Sequence, residues 1–262
     1  MDTGRAELVP DGDGRRGWTL YVNGVPSSHV DLDDPTRLDF EYVRWFADAV
    51  DVLAPDGEPL RVTHLGGAAC TFARYVAATR PGSRQVVLEI DAAVLEVAKR
   101  AFAMRSGPRL RLRVADARAG LADLRDGDQD VVVRDAFSGA TVPSHLTTLE
   151  FLTEVRRVLS DGGLYLANLA DDPKLALARR EVATVLASFA HVALIAEPGQ
   201  LNGRRYGNVV LAGSDAALPE AALVRRLASD AVPARLLGTA EACAFASGYR
   251  PLRDPPVTGS PP

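Results

Sequence analysis

The chain has 262 residues, 47% of them hydrophobic and 24% charged, with a formal net charge of −4. These values suit one globular domain with a sizeable core and exclude a disordered or fibrous chain. The mildly acidic balance lacks the basic field of a nucleic-acid binder, and no run of about 18 apolar residues marks a membrane span.

In chain order, residues 1–17 are rich in Gly, Asp and Arg. They hold no apolar signal-peptide core, which predicts a flexible lead-in and a cytoplasmic protein. Over 18–32 apolar and polar residues alternate around Asn23-Gly24, the signature of a small N-terminal β-hairpin. Leu38, Tyr42, Trp45, Phe46, Ala49, Val50 and Leu53 then recur at helical spacing, so a helix is predicted over 35–53, ended by the Pro55-Asp56-Gly57 turn. Hairpin and helix form a connecting unit over 18–57.

The main domain is expected over 58–250. Strands are predicted over 61–65, 85–90, 110–114, 131–134 and 163–168, with helices near 70–79, 92–103, 117–124 and 147–158. A helix over 173–188, a strand over 190–196, a turn at 200–205 and a strand over 206–212 follow. Strand and helix alternation of this kind builds a parallel sheet covered on both faces, and the last two strands can pair only as an antiparallel hairpin. The fold class is therefore α/β: a Rossmann-like, mostly parallel seven-stranded sheet with an antiparallel terminal hairpin, similar to class I S-adenosylmethionine-dependent methyltransferases. Residues 251–262 are Pro-rich and are expected to be an extended or disordered tail.

The chemistry is expected at the carboxyl ends of the strands, where open α/β sheets bind ligands. The first strand of the main domain runs into His64-Leu65-Gly66-Gly67, and glycines there let a ligand approach the backbone closely. The second ends in Glu89, 23 residues after Gly66, close to the spacing at which an acid accepts hydrogen bonds from ribose hydroxyls. Asp91 instead suits the N-cap of the next helix. The third strand delivers Asp116 and Ala117, where an Asp can accept from an adenine amino group or cap a helix. The fourth delivers Asp135, so three successive strand ends bring acids to one rim. Cys70 and Cys243 lack CxxC spacing, and His29, His64, His145 and His191 are scattered, so they read as packing or surface residues and no metal site is expected.

The succession Gly-Gly loop, Leu-Glu-Ile-Asp at 88–91, Ala-Asp-Ala at 115–117 and Asp-Ala-Phe-Ser-Gly at 135–139, behind an N-terminal hairpin and helix, resembles the spermidine synthase family of aminopropyltransferases over roughly residues 18–213. The resemblance implies that Gly66, Gly67, Glu89, Asp116 and Ala117 hold the nucleoside of S-adenosylmethionine or its decarboxylated form. It implies that Asp135 takes the attacking amine's proton, that Tyr42 and Ser138 line the acceptor site, and that the N-terminal strands build a homodimer. The partner is then a small-molecule acceptor, an amine, and neither nucleic acid nor membrane. Two family carboxylates are missing: Ala69 stands where the propylamine arm is held and Ser138 where a second acid binds the acceptor. Ser27 stands where a family Gln does. Their loss predicts a weaker hold on a protonated polyamine, because charge-assisted hydrogen bonds are the strong ones. A methyltransferase on an unknown acceptor and a non-catalytic nucleoside-binding module remain open alternatives.

Overall fold

The computed structural model describes residues 4–256. Among these, β1 (Ala6–Pro10), β2 (Gly17–Val22) and β3 (Val25–Asp31) form a three-stranded antiparallel sheet in the order β1-β2-β3. The predicted turn joins β2 to β3, with Asn23 and Gly24 both left-handed (φ 53° and 77°). The expected lead-in thus contains a strand, and the expected hairpin is a sheet. Residues 6–10 are too few to show a period alone, and pairing with β2 from Ala6↔Val22 to Pro10↔Trp18 defines them. The first three residues of the lead-in lie outside the described residues.

The connecting helix α1 (Glu41–Leu53) starts six residues later than its apolar spacing predicts. Asp31 and Asp34 accept from the backbone N–H groups of Asp33, Asp34 and Thr36, while Arg44 binds the carbonyls of Leu38 and Asp39. Those backbone groups are satisfied without helix, so the helix begins after them. At its other end the wholly buried Arg80 donates to the carbonyls of Val50, Ala54, Pro55 and Glu58, capping the helix's orphan acceptors.

The large sheet comprises β4 (Arg61–Gly66), β5 (Arg84–Glu89), β6 (Leu110–Val114), β7 (Gln129–Asp135), β8 (Leu159–Asp171), β9 (His191–Ala196), β10 (Gly207–Ser214) and β11 (Arg235–Leu237). Their order is β11-β9-β10-β8-β7-β4-β5-β6; β4 to β8 run parallel and β10 pairs antiparallel with β8 and β9. The seven predicted strands are present, and β11 adds an eighth, antiparallel to β9. The helices are α2 (Thr71–Thr79), α3 (Ala92–Ala101), α4 (Ala117–Ala122), α5 (Leu149–Val158), α6 (Ala176–Leu186), the one-turn α7 (Pro198–Leu201), α8 (Glu220–Ser229) and α9 (Thr239–Phe245), plus a 3₁₀ turn at Ser144–Leu146.

Side chains alternate across the strands into two cores. Trp45, Phe46 and Val50 of α1, Tyr75 of α2 and Leu223 of α8 cover one face, against Val62, Val131, Val133 and Leu166. Leu121 of α4, Phe151 of α5, Val182 of α6 and Ala242 of α9 cover the other, against Leu65, Leu88, Val132 and Leu169. A third cluster joins Leu20 and Val30 of the small sheet to Ala73 of α2 and Val94 and Leu95 of α3, so the small sheet leans on the domain. The start of the expected tail is extended and docked: Leu252 N–H donates to Thr184 Oγ1, Leu252 carbonyl accepts from Leu149 N–H, and Asp254 takes both Arg118 guanidinium nitrogens. Residues 257–262 of that tail lie outside the described residues. Among the described residues no helix is long and apolar enough to cross a membrane.

Candidate active site

The carboxyl ends of β4, β5, β6 and β7 form one rim. After β4 the chain turns through four left-handed residues, Gly66, Gly67, Ala68 and Cys70 (φ 80°, 104°, 41° and 62°). At Gly66 a Cβ would lie 2.6 Å from the Asp135 carbonyl and 2.8 Å from Ala136 Cα, so this glycine is needed by the approach of β7's end. Nothing lies within 4 Å of a Cβ at Gly67, which faces open space. Holding Ala68 and Cys70 left-handed costs about 1–2 kcal/mol each, strain that the surrounding contacts must offset.

Glu89 stands across from this loop at the end of β5. Its Oε1 accepts from Asp91 N–H at 3.0 Å, and the N–H groups of Ile90 and Ala68 also point to the carboxylate. Burial raises its pKa, opposed by those donors. Asp91 caps α3, accepting from Ala93 and Val94 N–H, as its position predicts. Asp116 caps α4 through Ala119 N–H at 2.9 Å, and its Oδ2 lies 2.8 Å from His145 Nε2. Partial burial pushes its pKa up, but the Ala119 N–H and His145 outweigh it, and Asp116 lies below the usual carboxylate range. Ala117 packs its methyl into the core.

Asp135 closes the rim at the end of β7. Tyr42 O–H donates to Oδ2 and Asn168 Nδ2 donates to Oδ1, each at 3.1 Å. Burial raises this carboxyl to about 6; the bonds from Asn168 and Tyr42 and the nearby Arg134 charge hold it from going higher. Tyr42 in turn is pushed well above its ordinary value, by burial and then by the Asp135 charge, so it remains a donor. Behind them the fully buried Arg134 binds Glu181 Oε2 at 2.7 Å and the carbonyls of Asn168 and Leu146, fixing the strand and loop that flank the acid.

A narrow pocket runs from Asp135 and Tyr42 past Gly66 and Gly67 to Ser28, Cys70 and Phe72. The structure therefore brings together Tyr42, Gly66, Gly67 and Asp135, with Glu89 and Asp116 along the same rim. Ser138 is not among them: it lies in an exposed turn closed by Ser138–Thr141 backbone bonds, because residues 137–141 loop out to solvent. In the small sheet Ser28, not Ser27, lines the pocket and accepts from Ala69 N–H, while Ser27 faces outward and bonds Val25 carbonyl. His64 is buried and neutral, lowered to about 4 by desolvation and bonded to Gln85, as a packing residue should be. His145 is more than a surface residue, since it pairs with Asp116. Asn168 escapes the sequence reading, although an Asn inside the apolar run of β8 is a legible signal of a buried polar partner. Among the described residues no group of His, Cys, Asp or Glu is arranged to hold a metal.

A doubly wound sheet ending in an antiparallel hairpin, with acids at three successive strand ends, defines a Rossmann-like protein of the methyltransferase type. Human methyltransferase-like protein 13, solved in complex with SAH, shares that fold at a TM-score of 0.58 and 22% identity, over 72% of this chain and 93% of that one. Residues 45–212 match the spermine/spermidine synthase domain, and the chain belongs to that family. It is similar to a polyamine aminopropyltransferase of Vibrio vulnificus (strain CMCP6), 33% identical over 141 residues that cover 53% of this chain and 46% of that protein. It also resembles the crystal structure of a probable spermidine synthase from Corynebacterium glutamicum ATCC 13032, 40% identical with a TM-score of 0.90 over 98% of this chain and 95% of that one. The chain spans about half the length of the curated relatives it matches.

Proposed function

We propose that the chain is an aminopropyltransferase, moving the aminopropyl group of decarboxylated S-adenosylmethionine to an amine acceptor. The observation that carries this reading is the Tyr42–Asp135–Asn168 arrangement beside the Gly66-Gly67 loop, in a chain of this family. Glu89 would hold the ribose hydroxyls and Asp116 the adenine amino group, with Gly67 leaving room for the sulfonium side of the donor. An amine with an ordinary pKa of about 10 must shed its proton before its lone pair can attack carbon. Asp135 accepts that proton first; the freed lone pair then attacks carbon, and as the N–C bond forms the C–S bond breaks, its electron pair going to sulfur to leave neutral methylthioadenosine and a secondary ammonium product. Tyr42 and Asn168 orient the carboxylate, so its free lone pairs face the cleft.

A second reading is favoured by Ala69, which is fully buried and leaves no carboxylate beside the transferred group. That reading is methyl transfer from S-adenosylmethionine itself. Incubation with each donor and an amine, followed by analysis of the nucleoside product, separates them. Methylthioadenosine supports aminopropyl transfer, S-adenosylhomocysteine supports methyl transfer, and nucleoside binding without product supports a non-catalytic role.

A further inference from the structure

Asp116 is not alone at its place on the rim. His145 Nε2 lies 2.8 Å from Asp116 Oδ2, and a ring nitrogen that faces a carboxylate carries the proton and donates it. Both side chains can be reached from solvent, His145 at 45% and Asp116 at 34% exposed. The backbone behind them is held. Asp116 Oδ1 accepts from Ala119 N–H, and in the 3₁₀ turn that carries His145 the carbonyls of His145 and Leu146 are bound by Arg118 and Arg134. Leu146 itself is buried in the core, so the turn cannot swing away without exposing it. Two residues before Asp116, Val114 is exposed at the end of β6, as is Ile90 beyond the end of β5, so aliphatic surface flanks the pair.

We propose that His145 and Asp116 together read the amino edge of adenine: Asp116 Oδ2 accepts from the amino group, and His145 Nε2–H donates to a ring nitrogen beside it. The inference rests on the placement of the base at Asp116 in the reading given above. An acceptor and a donor one hydrogen-bond length apart stand in the order in which an Asn or Gln amide reads adenine, whose amino donor lies next to a ring acceptor. Neither residue supplies both halves, because an ionised carboxylate only accepts and an imidazole N–H only donates. Binding opens one bond and makes two. The His145–Asp116 contact gives way to a bond from the amino group to Oδ2 and a bond from Nε2–H to the ring nitrogen, so neither protein group is left without a partner.

The test uses methylthioadenosine and its 7-deaza and 1-deaza analogues, each of which replaces by C–H one of the two ring nitrogens that flank the amino group. In calorimetric titration of the full chain, an analogue lacking the nitrogen that His145 reads should bind about tenfold more weakly than methylthioadenosine. In His145→Ala that deficit should shrink to within about twofold, because the donor that sensed the nitrogen is gone. Equal binding of all three nucleosides by the unaltered chain overturns the inference and leaves the nucleoside site standing, as do deficits that His145→Ala leaves unchanged. Unchanged methylthioadenosine affinity in Asp116→Ala, or no binding of methylthioadenosine to the unaltered chain, overturns the placement of the base and the inference with it.

Discussion

Asp135 carries the sharpest predictions at the scale of single residues. Replacing it by Asn keeps the shape and both neighbours but removes the carboxylate proposed as the base, so turnover should fall by about 10²- to 10⁴-fold while methylthioadenosine affinity stays within a few-fold. Because the acid must be ionised to act and burial lifts it to about 6, kcat/KM should rise with pH through that region and then level off. Tyr42→Phe removes a hydrogen bond that favours the ionised form, so this limb should move to higher pH. A structural tyrosine would leave the limb in place. Stability should answer in the opposite sense to activity. An acid whose native pKa exceeds its unfolded value binds protons on folding, so its penalty is absent below about 3.8 and fully present above about 6. Asp135→Asn should therefore be about 1–3 kcal/mol more stable than the parent in urea at pH 7.5, with the difference vanishing near pH 4. Glu89→Ala should abolish nucleoside-induced stabilisation, and the free protein should lose about 1 kcal/mol because the N–H groups it receives return to water. Unfolding of the free protein would instead mark Glu89 as a structural acid.

Elements hold these residues through buried polar bolts. Arg134 on β7 and Glu181 on α6 are both essentially inaccessible and 2.7 Å apart, with the guanidinium also binding carbonyls of β8 and of the 3₁₀ turn. Glu181→Ala leaves that guanidinium buried and unpaired, which should destabilise the protein by about 3–5 kcal/mol in chemical denaturation. The double change Arg134→Met with Glu181→Leu should recover most of the loss, since removing both charges leaves nothing unpaired. Arg118 and Asp254 form a more exposed pair and contribute about 0–1 kcal/mol, so they locate the extended C-terminal segment without stabilising the whole.

The whole molecule should respond to nucleosides as one unit, because the rim is built from four strands of a single sheet. At 100 times its dissociation constant a ligand adds about 2.7 kcal/mol, enough to raise the melting temperature by roughly 5–10 °C for a chain of this size. Methylthioadenosine and S-adenosylmethionine-type compounds should give that shift and NAD should not, as the β4–α2 loop is not a Gly-x-Gly-x-x-Gly turn. A shift with NAD alone would remove the nucleoside assignment from Glu89 and Asp116.

The seven longest strands of the large sheet and most of its helices were legible in the sequence, because each strand of a sheet buried on both faces is a short apolar run bounded by turn residues. The acids at 89, 116 and 135 were legible too, since a strand end is a position along the chain and its chemistry is written there. β1 and β11 were not, because three to five residues carry no period and become strands only by pairing with β2 and β9. The start of α1 was set by side chains of Asp31, Asp34 and Arg44 satisfying the preceding backbone, which no helical spacing records. Asn168 lies 33 residues from Asp135 and His145 lies 29 from Asp116. Only the side-by-side packing of β7 with β8, and the return of the loop before α5, turn those separations into bonds. So the order of residues by itself determined the fold class and which acids reach the rim. The burial that tunes Asp135 and the exposure of Ser138 were decided by tertiary packing, because desolvation depends on what surrounds a group in space.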